Sequence, residues 1–288
     1  MLPLTKLGNT DLEVTRLGFG SMDLRDLAGE KSMPQSASEG KLSSEAQAEK
    51  VLNTVLDEGI NFIDTAWSYG RSEEFIGRFI AHRRSEFLLT SKTGHLYRNV
   101  SEKSSWNRVP LLQCLHDSLK KLKTDYLDIL MLHNPRPENV ENSNVVETLL
   151  EAKKAGKVRH IGLSSGEPHM DYFLGLGVFE VIQVPYSALM LRNGPAIEKA
   201  SKSGVGVVVR GGMGEGVPFT GDPSRALYKK LKAEWEEQFE TKFVSDTAKS
   251  EFLLRAVLEN PCIDTVIVGS TNPAHIKSNT DIAKRLLS

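Results

Sequence analysis

Short apolar segments alternate with longer amphipathic segments along most of the chain. The alternation opens with "LTKLGNTDLEVTRL", whose two halves flank Gly8 and Asn9 and predict a β-hairpin. Eight short apolar segments follow, and turn-forming or polar residues bound each one, as expected of buried strands. These predicted strands are "LGFG" (17–20), "NFID" (61–64), "EFLLTSK" (86–92), "YLDILMLH" (126–133), "RHIGLSS" (159–165), "VIQVPY" (181–186), "GVGVVVR" (204–210) and "DTVIVGS" (264–270).

Between the strands, apolar residues recur three or four positions apart, the spacing of a helix with one buried face. One such stripe predicts a helix from about residue 44 that stops at Gly59. Ser72 is predicted to cap the next helix, and Pro110 to open the one after it. Further helices are predicted at about 145–155, 193–203, 225–240 and 245–259 and after the last strand.

Eight strand–helix units without a break in composition predict one domain over residues 1–288. Short, uniformly apolar strands suit a parallel sheet that helices cover on both faces. We therefore expect an α/β fold, a (β/α)₈ TIM barrel with the N-terminal hairpin capping its bottom. The alternative is an open doubly wound sheet, but no G-x-G-x-x-G motif follows an early strand.

The composition is that of an ordinary globular protein, with 40% hydrophobic and 25% charged residues and a net charge of -1. This balance gives no electrostatic case for nucleic acid or an anionic membrane as a partner. No apolar run approaches the roughly 18 residues of a membrane span. Cys114 and Cys262 lack metal-ligand spacing, so we expect no metal site. We expect a cytoplasmic protein, either a monomer or a weak homo-oligomer.

Polar residues stand at the ends of several predicted strands, where barrel enzymes place their chemistry. Asp64, Lys92 and His133 end three consecutive strands, and Tyr69 follows the first of them. Each alone has an ordinary explanation: a helix cap, a solvated amine or a structural imidazole. Together they predict a single pocket, because burying several charged groups at a barrel mouth requires them to pair.

The chemistry of these four residues fits a general acid aimed at a carbonyl group. A tyrosine has an ordinary pKa of about 10, and a nearby ammonium such as that of Lys92 should lower it. Asp64 would pair with Lys92, and His133 would orient a carbonyl oxygen toward Tyr69. Such a set suits a reaction that builds negative charge on oxygen.

A carbonyl reduction also needs a hydride donor, which no side chain supplies, so a nicotinamide or flavin cofactor is implied. Later strand ends offer suitable contacts, including a glycine-rich segment "GGMGEG" (211–216) and a helix start after residue 270. The candidates are Ser164, Ser165 and Gln183 for a carboxamide, Arg210 for a ring or diphosphate, and Gly211, Gly212, Met213, Ser270 and Thr271 for phosphates.

These segments resemble the aldo-keto reductase superfamily from end to end. "GINFIDTAWSYG" resembles its strand-2 signature, "LLTSK" supplies its lysine and "DYLDILMLHNP" its histidine. Later matching segments are "GKVRHIGLSS", "VIQVPYSAL", "GVGVVVRGGMGEG" and "DTVIVGSTNPAHIKSN". The resemblance places Tyr69, Asp64, Lys92 and His133 at the four catalytic positions.

The resemblance implies an NAD(P)H-dependent reductase of small aldehydes or ketones that binds an extended cofactor without a Rossmann motif. Tyr69 would donate the proton. Many members carry asparagine at Ser165, and a lysine at Gly269 and an arginine at His275 that serve the 2′-phosphate. We still expect NADPH, with NADH as the alternative. The resemblance adds Gly20, Ser21, Met22, Asp64, Gly269, His275 and Asn279 to the cofactor contacts, and Trp67, Tyr69, His133 and Met22 are the expected substrate contacts.

Other interpretations remain open at this point. A lysine at a strand end could form a Schiff base, as in an aldolase-like lyase. The fold could instead serve as a nucleotide-binding regulatory subunit. The substrate pocket could be walled by the loops at 22–43 and 93–109 and the segment 211–225, with Tyr97, Trp106 and Met213 as further apolar candidates.

Overall fold

The computed structural model of the protein describes residues 1–24, 45–94, 106–219 and 226–288. Tyr97 and most of the two loops predicted to wall the pocket lie outside these residues, and so do the last residues of the segment 211–225. No helix in the described ranges is long and apolar enough to cross a membrane.

The described strands form a two-stranded antiparallel sheet and a closed barrel of eight parallel strands. The strands are β1 (Leu4–Lys6), β2 (Glu13–Thr15), β3 (Leu17–Gly20), β4 (Phe62–Asp64), β5 (Leu88–Thr93), β6 (Leu127–His133), β7 (Val158–Ser164), β8 (Val181–Pro185), β9 (Gly206–Arg210) and β10 (Thr265–Val268). From β3 to β9 each barrel strand pairs with the next, and β10 closes the ring against β3. The predicted (β/α)₈ barrel is confirmed, and the open sheet is excluded.

Helices connect the barrel strands and cover them from outside. Those in the described part of the chain are α1 (Glu45–Asp57), α2 (Ser72–Phe79), α3 (Arg108–Leu122), α4 (Pro137–Glu141), α5 (Val145–Lys154), α6 (Met170–Gly175), α7 (Gly194–Lys202), α8 (Ala226–Gln238), α9 (Asp246–Leu258) and α10 (Pro273–Leu286). The sequence does not predict α4 and α6, because five or six residues are too few to show a helical stripe.

The N-terminal hairpin closes the bottom of the barrel, as predicted. Leu7, Leu12 and Val14 are fully buried against side chains that fill the barrel interior: Phe62, Ile129, Met131, Val181, Val208 and Ile267. Gly8 turns the hairpin with a positive φ of 52°, and a Cβ there would lie 2.3 Å from the backbone nitrogen of Gly206. Glycine is therefore required where the hairpin tip meets the start of β9.

A smaller apolar cluster, the outer cluster, lies apart from the barrel core. It consists of Leu189, Val217, Leu231, Trp235 and Leu253. Trp235 of α8 stacks on Phe243 with ring centroids 5.7 Å apart. Lys249 of α9 also donates a hydrogen bond of 3.2 Å to the carbonyl oxygen of Pro218. The outer cluster thus ties α8 and α9 to the segment that follows β9.

A network of charges also binds the hairpin to the barrel bottom. His160 of β7 lies between two carboxylates, with its Nε2 2.7 Å from Asp11 of the hairpin and its Nδ1 2.7 Å from Glu180. Arg159 joins the same Asp11 to the buried Asp128. The hydrogen bond to Glu180, and then that to Asp11, raise the pKa of His160 against the opposing effect of its burial. Protonated His160 therefore stabilises the hairpin contact.

We expect the contacts of His160 with Asp11 and Glu180, here called the clamp, to make the stability of the fold depend on pH. Because the pKa of His160 is higher in the folded protein, its contribution is complete below the ordinary histidine value of about 6.5 and is lost as the pH rises through the folded value. Unfolding midpoints of native protein and of His160→Asn should therefore differ more at pH 6 than at pH 8.5. An equal or larger difference at pH 8.5 would contradict the clamp.

Candidate active site

A buried ion pair lies at the carboxyl ends of β4 and β5. The Nζ atom of Lys92 is 2.6 Å from each carboxylate oxygen of Asp64, and it donates a further hydrogen bond of 2.9 Å to the carbonyl oxygen of Thr65. Lys92 is 1% and Asp64 2% exposed. Three acceptors thus surround the ammonium, which is how a protein keeps a buried lysine charged.

The polar network extends from this pair across the barrel mouth. Gln183 of β8 donates a hydrogen bond of 2.7 Å to Asp64, and Ser164 of β7 donates one of 2.9 Å to Gln183. The sequence predicts Ser164 and Gln183 only as contacts for a carboxamide. In the structure both hold the orientation of the Asp64 carboxylate, Gln183 directly and Ser164 through Gln183, and the carboxamide role stays a prediction.

Tyr69 and His133 lie next to the ion pair. The Lys92 ammonium is 5.1 Å from the centroid of the Tyr69 ring. The His133 ring meets that ring edge-on, with centroids 5.8 Å apart at 82°. A turn between β4 and α2 positions Tyr69, whose amide donates a hydrogen bond of 3.0 Å to the carbonyl oxygen of Ala66. The structure therefore brings all four predicted catalytic residues together.

The expectation for the pKa of Tyr69 is wrong in its net direction. Burial raises the pKa of the phenol above its ordinary value, and this outweighs the lowering by the Lys92 ammonium and by Arg210. Lys92 acts with the expected sign, but desolvation by the surrounding barrel mouth is larger. Tyr69 consequently holds its proton at neutral pH, which is the state that a general acid requires.

Two serines support the site in ways that the sequence does not predict. Ser21 is fully buried and donates a hydrogen bond of 2.8 Å to the carbonyl oxygen of Asp64. Ser72 is not the predicted helix cap, because Arg71 occupies that position. Its hydroxyl is instead 2.7 Å from that of Ser21. These serines fix the ends of β3 and β4 to α2 behind the ion pair.

Several residues predicted to hold the cofactor follow the carboxyl ends of barrel strands. Ser165 is buried at the end of β7, and Arg210 is half-buried at the end of β9. Gly211 has a φ of 70°, which favours glycine, and a Cβ on Gly212 would lie 2.5 Å from Val266. Around the start of α10, Ser270 and Asn279 are buried, Thr271 is half-buried, and Gly269 and His275 are exposed.

This donor set fits a dinucleotide. Short hydroxyls and an amide at the ends of β7 and β8 suit a carboxamide, and the 14-residue helix α10 begins shortly after the carboxyl end of β10, where its N-terminal amides suit a phosphate. The Ser270 hydroxyl accepts a hydrogen bond of 3.0 Å from the amide of Asn272 and lies 3.3 Å from Nδ1 of His275. His275 therefore adjoins Ser270, and the roles of these residues toward a cofactor stay predictions.

The predicted substrate contacts are positioned differently from one another. Tyr69 and His133 adjoin the ion pair, and Met22 is half-buried after β3. Trp67 turns its indole toward α3, where its N–H is 3.4 Å from Asp117 and the Lys121 ammonium lies 5.2 Å from the ring centroid. The role of Trp67 toward substrate stays a prediction.

The other two apolar candidates in the described part of the chain belong to packed clusters. Trp106 is buried in the large apolar cluster formed by strands and surrounding helices, next to Gly94. Met213 packs against both the barrel core and the outer cluster. These contacts account for the burial of both side chains, and their contribution to the pocket wall stays a prediction.

We expect the ion pair to be strongly coupled in stability. Asp64→Asn leaves the buried Lys92 ammonium without a counter-ion and should lower the free energy of unfolding by about 3–5 kcal/mol. Adding Lys92→Met to that variant removes the uncompensated charge and should restore much of the loss. Urea denaturation of the native protein, both single variants and the double variant measures this coupling. Additive effects of the two substitutions would contradict it.

Comparison with known proteins finds relatives along nearly the whole chain. The chain is 26% identical over 296 residues to "Uncharacterized oxidoreductase YqkF" of Bacillus subtilis, covering 96% of this chain and 90% of that protein. It is 27% identical over 302 residues to "Aldo-keto reductase YhdN" of the same organism, with 96% and 88% covered.

A solved structure shares the fold. It is the aldo-keto reductase AKR11C1 from Bacillus halodurans in its holo form, with a TM-score of 0.78 and 26% identity over 99% of this chain and 91% of that one. The model of the Aldo/keto reductase family matches residues 16–288. The chain therefore belongs to the aldo/keto reductase family, whose members are NAD(P)H-dependent oxidoreductases acting on carbonyl groups.

Proposed function

We propose that this protein reduces the carbonyl group of a small aldehyde or ketone to an alcohol, with NADPH as the hydride source and Tyr69 as the proton donor. One observation carries the proposal. The ammonium of the buried Lys92–Asp64 pair lies 5.1 Å from the centroid of the Tyr69 ring, and His133 meets that ring edge-on. Family membership supplies the reaction class, and this cluster supplies the acid.

Each residue has a distinct part in the proposed reaction. The nicotinamide, when bound, supplies a hydride to the carbonyl carbon. His133 donates a hydrogen bond to the carbonyl oxygen and holds it toward Tyr69. The Tyr69 hydroxyl gives its proton to that oxygen as negative charge develops there. The Lys92 ammonium stabilises the phenolate that remains, and Asp64 keeps the ammonium in position.

The cofactor would lie across the mouth between β7 and α10. Ser164, Ser165 and Gln183 would hold the carboxamide, and Arg210 would lie against the ring or the diphosphate. The segment Gly211–Met213 and the residues Ser270, Thr271, His275 and Asn279 would hold the phosphates and the adenosine. Gly20, Ser21 and Met22 would line the nicotinamide pocket next to Asp64. Met22 and Trp67 would contact the substrate.

The Schiff-base alternative is not favoured by the surroundings of Lys92. A lysine nucleophile must be neutral, whereas the Asp64 carboxylate and the Thr65 carbonyl oxygen stabilise the charged ammonium. Borohydride treatment with an aldehyde or ketone present should therefore leave no substrate attached to Lys92, as mass spectrometry can show. A covalent adduct at Lys92 would favour the lyase.

Tyr69→Phe should lower the turnover number for a reactive aromatic aldehyde by at least about 100-fold, because proton transfer by a positioned acid contributes about that much. Binding of NADPH, measured by fluorescence titration, should change little. Tyr172→Phe on the outer helix α6 is the matched control and should leave both quantities unchanged. Turnover of Tyr69→Phe equal to that of the native enzyme would refute the proton-donor role.

NADPH should bind more tightly than NADH if the expected 2′-phosphate contacts exist. Dissociation constants for both forms, measured by quenching of protein fluorescence at one salt concentration, test this. Raising the salt concentration should weaken NADPH binding more than NADH binding, since the additional phosphate carries charge whose interactions salt screens. Tighter binding of NADH would show that NADH is the preferred cofactor, and equal binding would contradict the expected 2′-phosphate contacts.

A further inference from the structure

A serine beside Tyr69 contacts the catalytic histidine. Ser68 is buried, with 7% of its surface exposed, and its Oγ atom is 3.4 Å from Nδ1 of His133. His133 ends β6, whereas Ser68 belongs to the turn between β4 and α2. Successive residues of one turn thus meet the imidazole, Ser68 at Nδ1 and Tyr69 at the ring.

The chemistry of imidazole makes the contact at Nδ1 consequential. A neutral imidazole carries one N–H, so one of its nitrogens donates a hydrogen bond and the other accepts. A carbonyl oxygen only accepts. Because Nδ1 meets Ser68, a carbonyl held by His133 would meet Nε2, which must then carry the proton. A hydroxyl can donate to an unprotonated Nδ1, and the hydrogen bond made by one ring nitrogen sets which tautomer the imidazole adopts.

We propose that Ser68 is a positioning residue that donates its hydroxyl hydrogen to Nδ1 of His133 and thereby holds the imidazole in its Nε2–H tautomer. The use of this tautomer rests on the proposed function, in which the Nε2–H group holds a carbonyl oxygen. The contact itself exists without substrate. The turn that positions Tyr69 thus also orients the imidazole of His133.

The tautomer is measurable in the protein as it is. Long-range ¹⁵N–¹H correlation spectra at neutral pH distinguish a protonated ring nitrogen from an unprotonated one, and His133→Gln assigns the resonances. In native protein, Nδ1 of His133 should be unprotonated and Nε2 protonated. In Ser68→Ala, a fraction of His133 should carry its proton on Nδ1. A proton on Nδ1 in the native protein, or spectra that Ser68→Ala does not change, would overturn the proposal.

Kinetics give a second readout. Ser68→Ala should lower kcat/KM for an aldehyde about tenfold, the effect of about one hydrogen bond, with NADPH binding unchanged. Ser68→Thr keeps the hydroxyl and should retain most of the activity. Ser118→Ala makes the same change at a buried position on α3 and is the control. Equal losses in Ser68→Ala and Ser68→Thr would assign the effect to packing and count against the proposal.

The two proposals fail separately. If the native protein reduces no aldehyde or ketone, the proposed function fails, while the native spectrum still decides the tautomer of His133. If Ser68→Ala is too unstable to study, that same spectrum remains decisive. If reduction proceeds by way of Tyr69 but Nδ1 carries the proton, the positioning role of Ser68 alone is refuted.

Discussion

The site depends on the charge of one lysine held in the interior of the barrel. Lys92 is 1% exposed, and it stays there because Asp64 and the carbonyl oxygen of Thr65 accept its three hydrogen bonds. Gln183, Ser164 and Ser21 then fix Asp64 or its backbone. A cation buried at this cost is rarely retained for stability alone, since apolar residues of similar volume serve that purpose better. In the function we propose, the Lys92 ammonium stabilises the phenolate of Tyr69.

Most of the fold and the membership of the site follow from the sequence. The barrel strands are short apolar segments with polar ends, and parallel strands bring those ends to one face. Asp64, Lys92 and His133 could therefore be grouped although the first and the last lie 69 positions apart. The helices α4 and α6 are not predicted, because five or six residues are too few to show a helical stripe.

The energetics of the site were harder to predict than its membership. The sequence gives the sign of the effect of Lys92 on Tyr69, but the net pKa depends on how much protein surrounds the phenol, which only the folded structure shows. The hydrogen bonds from Ser21 to Asp64 and between Ser68 and His133 join residues 43 and 65 positions apart. Serine is common in turns, so its presence gives no sign of a partner so far along the chain.

The hairpin that closes the bottom of the barrel affects how substrate and product exchange. Within the described residues, Leu7, Leu12 and Val14 fill the barrel from below, at the end away from the Asp64–Lys92 pair. If the proposed reaction takes place at this pair, substrate and product use the side opposite the hairpin. In the reaction we propose, the alcohol must then leave on that side before the next carbonyl compound enters, so entry and exit alternate rather than flow through.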